Sequence, residues 1–113
     1  MKRFLVLYRS PVAASEQLAN ASPEQMQAGM QAWMAWAERA GDAVVDLGSP
    51  LGGGTRIAGG SVSGDDTDAT GFSIVQAESA EDAAELFRDH PHLGMPGGGS
   101  SIEIFELLPL PGS

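Results

Sequence analysis

The 113-residue chain contains no cysteine, and no lysine after Lys2. The first absence excludes disulfides and thiol catalysis, although by itself it assigns no compartment. The second leaves six basic side chains against fifteen acidic ones, a formal charge of −9. That balance argues against binding a phosphate backbone, which needs clustered Lys and Arg. The acidity reads as a solubility feature rather than a cation site. No apolar run approaches membrane-spanning length. The basic start followed by Phe4-Leu5-Val6-Leu7-Tyr8 mimics a signal peptide, but its apolar part is short and Arg9 closes it at once. Export is therefore not expected, and the cytoplasm is the default.

What remains is a chain with 42% hydrophobic residues, enough for one domain with one core. Its organising stretch is 22–51, SPEQMQAGMQAWMAWAERAGDAVVDLGSPL. Ser22 can cap a helix, Pro23 suits the first helical position, and Gln25 sits where a capping box wants an acceptor. Met26, Met30, Trp33, Met34, Ala37 and Ala40 recur at helical spacing and predict one apolar stripe packed on a sheet, with Trp36 off its centre. Gly41 is the natural stop.

Before this helix, residues 3–8 read as a strand that is apolar on both faces, and 10–21 as a loop with a helical turn. After it come a strand over 43–47 and a glycine-rich stretch over 51–64 with a short strand or hairpin. A polar turn over 65–70 and a strand over 72–77 follow. Ser79 with Asp82 then caps a second helix whose buried face is Ala83, Ala84, Leu86 and Phe87. That helix must stop before Pro91. The last strand covers 101–108, and Pro109 and Pro111 begin a tail over 109–113.

This order predicts an α+β fold: a ferredoxin-like βαββαβ protomer with an antiparallel sheet and both helices on one face. The second sheet face, apolar in the first and last strands, also needs burial. A homodimer with two sheets face to face, and clefts between them, is the expected answer.

Several motifs have bland explanations. The glycines form no GxxxxGK[ST] and no GxGxxG, so flexible turns account for them better than phosphate binding. Residues 66–71, DTDATG, resemble half of a calcium loop, but Ala77 stands where a glutamate is needed. Asp89-His90-Pro91-His92 holds both histidines. Two imidazoles make an incomplete metal site. An acid/base pair, His90 oriented by Asp89, is chemically easier, and a plain helix-terminal turn is the alternative. His92, Tyr8, Trp33 and Asp46 are the candidate pocket wall.

The ordered blocks LYR, SPEQMQAGMQAWMAW, AGDAVVDLGSPLG, SAEDAAELFRDHPHL and GGGSSIEI resemble the YCII-related domain family over residues 2–108. The resemblance implies a dimeric α+β barrel and small acidic cytoplasmic proteins. Relatives beside or fused to sigma factors suggest regulation. A few are enzymes, one a dehydrochlorinase of a chlorinated hydroquinone, for which a His–Asp pair has been proposed. Here the family histidine falls near Met30, its aspartate at His90, and the DGPF segment is replaced by Gly64-Asp65-Asp66-Thr67. The expected protein is therefore a homodimeric, cofactor-free small-molecule-binding or regulatory protein that binds neither nucleic acid nor membrane. Its alternatives are a lyase or isomerase using His90 as acid/base, and a pure interaction dimer.

Overall fold

The computed structural model describes the backbone of residues 1–65, 68–94 and 98–111. Its elements are β1 (Lys2–Arg9), α1 (Ala14–Asn20), α2 (Pro23–Ala40), β2 (Val44–Pro50), β3 (Gly54–Ala58), β4 (Ser61–Asp65), β5 (Ala69–Ala77), α3 (Ala80–Leu86) and β6 (Ser101–Glu106). Short 3-10 turns at Gly41–Ala43 and Pro91–Gly94 follow α2 and α3. Four strands form one sheet in the order β2-β5-β1-β6, all neighbours antiparallel, and β3 pairs with β4 as a separate hairpin. The arrangement is mixed α+β and compatible with a ferredoxin-like protomer. Among the described residues no helix is long and apolar enough to cross a membrane. Asp66 and Thr67 of the calcium-like run lie outside the described residues.

The helix starts follow the local chemistry. Ser22 Oγ accepts from the Gln25 amide at 3.1 Å and Gln25 Oε1 accepts from the Ser22 amide at 2.8 Å, a complete capping box. Gly41 ends α2 with φ +58°. Ser79 Oγ accepts the Asp82 amide at 3.1 Å and starts α3. The loop expected over 10–21 contains α1.

The core lies between the sheet and α2 and α3. Phe4, Val6 and Tyr8 of β1 and Val75 and Ala77 of β5 meet Trp36 of α2, Ala83 of α3 and Phe87 just beyond it. Trp33, Ala37 and Ala40 pack against this cluster and form the sheet-facing stripe of α2. The methionines do not join it, which corrects the stripe expected from sequence. Met30 is 62% exposed, Met26 and Met34 are exposed too, and Trp36 is 2% exposed. An 18-residue helix is about 27 Å long, and only its C-terminal half overlies the sheet: residues 22–32 are all exposed. Met26 and Met30 lie in the overhang, while Met34 sits on the flank. Burying the larger indole of Trp36 decides the roll of the rest. Ala84, expected on the buried face of α3, is also exposed.

The other sheet face is apolar as expected. Leu5 pairs with Ile74 and Phe105, and Leu7 with Phe72 and Glu103, so these side chains share the face away from the helices. Leu5, Leu7, Phe72 and Ile74 are half-buried, and Phe105 is 47% exposed. At one end of this face Arg9 is held between Glu103 and Asp68, its Nη1 donating to Asp68 at 2.9 Å.

Candidate functional site

His90 reaches the core because α3 ends early. The residue before a proline avoids helical backbone, and the chain unwinds through turns after Leu86: the His90 amide donates to Phe87 O at 3.2 Å. The turn at Pro91–Gly94 is closed by the Leu93 amide donating to His90 O at 3.0 Å. This places the His90 ring, 2% exposed, among four aromatic rings. Trp33 stands perpendicular at 4.4 Å and Trp36 edge-on at 4.5 Å, while Tyr8 stacks at 5.1 Å and Phe87 is tilted at 5.6 Å. His92 touches Tyr8 edgewise at 5.3 Å.

The hydrogen bonds fix the proton positions. The His92 amide donates to His90 Nδ1 at 3.0 Å, so the neutral His90 ring carries its proton on Nε2. That Nε2 is buried with no hydrogen-bond partner. His92 Nε2 lies 2.8 Å from Arg9 O, a pure acceptor, so it donates there and latches the turn to the end of β1. Ser73 Oγ donates to Leu47 O at 2.6 Å, which leaves Tyr8 Oη as the donor in its 2.7 Å bond to Ser73. Trp36 Nε1 donates to Leu86 O at 2.7 Å and ties α2 to α3.

Burial sets the charge states. It pulls the His90 pKa down to about 4, with His92 adding to the effect and Asp89 opposing it. It pushes the Tyr8 phenol up to about 12 against a smaller opposite effect of the Ser73 bond. At neutral pH both groups are uncharged. A general base must come within hydrogen-bond reach of a substrate proton, and here rings enclose His90.

Of the residues singled out in the sequence, the fold brings Tyr8, Trp33, His90 and His92 together. Asp89 is not in contact with the imidazole nitrogens. Its exposed carboxylate faces Arg39 at 3.8 Å, and the position an orienting acid would take at Nδ1 is held by the His92 amide. Asp46 is also elsewhere: it is exposed on β2, pairs with Ile74, and accepts the Gly48 amide at 2.8 Å within a strand irregularity. Sequence reasoning missed Trp36 and Ser73 as members of the cluster. An indole one turn from Trp33 was a signal for the first; for Ser73 the signal was its place on the same strand face as Val75 and Ala77.

Two shallow grooves border the cluster. One of about 160 Å³ is lined by Trp36, Arg39, Ala40, Leu86 and Asp89. The other, about 200 Å³, runs beside β6 and is lined by Ala84, Phe87, Arg88, Leu93, Ile102 and Ile104. Among the described residues no three His, Asp or Glu side chains gather as a metal would require. The chain matches no family model and no curated protein.

Proposed function

We propose that this chain is a YCII-like homodimer, paired through its sheets as a dimeric α+β barrel, that binds a small molecule or regulates a partner in the cytoplasm rather than catalysing a reaction. The observation that carries the reading is the sheet face away from the helices. Leu5, Leu7, Phe72, Ile74 and Phe105 form a continuous apolar patch there, of the kind a second copy covers. The space between α2 and the sheet is filled by Tyr8, Trp33, Trp36, Phe87 and His90, so the reading puts a ligand in the clefts between protomers, not inside one. The neutral, enclosed state of His90 favours binding over proton transfer.

Sedimentation equilibrium combined with native mass spectrometry tests this. The wild type is expected to be a dimer at tens of micromolar, Phe105→Asp to be a folded monomer, and gently purified dimer to carry a small added mass. A monomeric wild type, or a Phe105→Asp dimer of unchanged affinity, would sink the sheet-paired reading. Turnover lost in His90→Ala while the dimer persists would replace binding with catalysis.

A further inference from the structure

We infer that residues 88–94 form a flap released by acid: a second proton on His90 draws its ring out of the aromatic cluster, and the His92 latch with it, while the sheet, α2 and α3 stay folded. The inference does not depend on the sheet pairing proposed above.

The flap is anchored by two side chains. Arg88, Asp89, Leu93 and Gly94 are exposed and Pro91 is half-buried, so only His90 and His92, 2% and 3% exposed, enter the protein. A surface segment is ordinarily pinned by apolar side chains. Here the anchors are the chain's only two histidines, the side chains whose charge changes nearest neutral pH.

The backbone adds no further tether among the described residues. The amides of Arg88, His90 and Leu93 each donate to the carbonyl three residues back, so these bonds stay within the segment and the end of α3. The bonds that reach other elements come from side chains. His92 Nε2 donates to Arg9 O at 2.8 Å. Asp89 faces Arg39 at 3.8 Å, but both are exposed and such a pair adds little. Leu93 only borders the groove beside Ile102 and Ile104. The elements behind the flap are held independently: β1 lies between β5 and β6, and Trp36 Nε1 ties α2 to Leu86 O of α3. The flap can therefore leave without breaking a sheet bond, as a local opening.

The surroundings of His90 decide what a proton does there. Its ring is faced by Tyr8 from β1, by Trp33 and Trp36 from α2, and by Phe87 from its own side, none of them charged at neutral pH. The Tyr8 hydroxyl is engaged with Ser73. The charged groups of the adjoining helices, Arg39, Glu85, Arg88 and Asp89, are exposed, and none bonds to the ring. An imidazolium in this place would be a buried cation without a carboxylate. Nε2–H already has no partner, so the second proton goes to Nδ1, where the His92 amide points its own N–H at it. The lowered pKa of the closed state has the same origin. In water both ring nitrogens find acceptors. Release also takes His92 from Arg9 O, because only Pro91 separates the two histidines, and it bares Tyr8, Trp33 and Trp36.

Amide hydrogen exchange of the full chain at pH 7 and pH 5, corrected for the intrinsic chemical rate, tests this. Protection of the His90, His92 and Leu93 amides is expected to fall about twentyfold, the change for a group with a pKa of about 4 closed and an ordinary one of about 6.5 open. These amides are also expected to be less protected than those of β1 and β5 at both pH values. His90→Asn should abolish the pH effect: its side-chain oxygen can accept the amide two residues on, as Nδ1 does, and it does not titrate. Equal protection of flap and sheet amides would mean that only the whole chain opens, and would overturn the flap. So would wild-type protection that ignores pH, or the same twentyfold fall in His90→Asn. If that variant does not fold, the wild type decides by nitrogen-15 spectra of its histidine rings. Protonation of His90 Nδ1 should then rise together with exchange of the flap, and a ring that takes the proton while the flap amides stay protected refutes the release.

Discussion

The backbone amide of His92 donates to Nδ1 of His90 at 3.0 Å, so the ring cannot take a second proton without losing the bond that shapes its own turn. Adding a proton there sets two donors against each other in a buried site.

The consequence is a definite pH dependence. The His90 pKa is about 4 in the folded chain and near its ordinary 6.5 when unfolded. Between these values the unfolded chain binds more protons, so stability rises with pH, and this contribution is lost as pH falls from 6.5 towards 4. The loss between pH 7 and pH 5 is about 2 kcal/mol. Urea titrations of wild type and His90→Phe at both pH values isolate it, since the carboxylates are common to both proteins. The variant is expected to lack that increment; an identical pH slope would mean that His90 is solvated.

Tyr8 is the chain's single tyrosine, so phenolate absorbance reports it alone. Its pKa of about 12 against an ordinary 10 means that the unfolded chain loses this proton first, and stability falls as pH rises from 10 to 12. Phenolate is expected to appear together with loss of the near-ultraviolet circular dichroism. A reversible titration near pH 10 with the fold intact would contradict the buried Tyr8–Ser73 bond.

Gly48 has φ +84°, and a Cβ there would fall 1.6 Å from the Phe72 carbonyl oxygen. Both the backbone and the contact with β5 exclude a side chain. Gly48→Ala is expected to cost more than about 2 kcal/mol, read from the urea midpoint. Asp46→Ala, which removes the acceptor of the Gly48 amide, should cost about 1 kcal/mol.

Trp36 joins two helices through its ring and through its bond to Leu86 O. Trp36→Ala is expected to lose about 3–5 kcal/mol. Trp36→Phe should lose less, because the ring volume is largely kept while the Leu86 carbonyl is left without its donor. Equal losses in the two variants would show that the hydrogen bond, not packing, dominates.

Local signals in the sequence determined the elements. Ser22 with Gln25, Gly41, Ser79 and Pro91 act within one turn of chain, and short apolar runs mark β1, β5 and β6. These interactions depend on near neighbours, so the sequence alone carries them. The tertiary structure decided how far α2 extends beyond the sheet and thus that Met26 and Met30 are exposed. It also decided that Trp36 rolls inward, and that Asp89 turns to Arg39 while the His92 amide takes the His90 nitrogen. A 3.6-residue period gives the spacing of a stripe but neither the length of the surface it meets nor which of two adjacent indoles buries more area. Those quantities come from the partner elements, which lie far away in the chain.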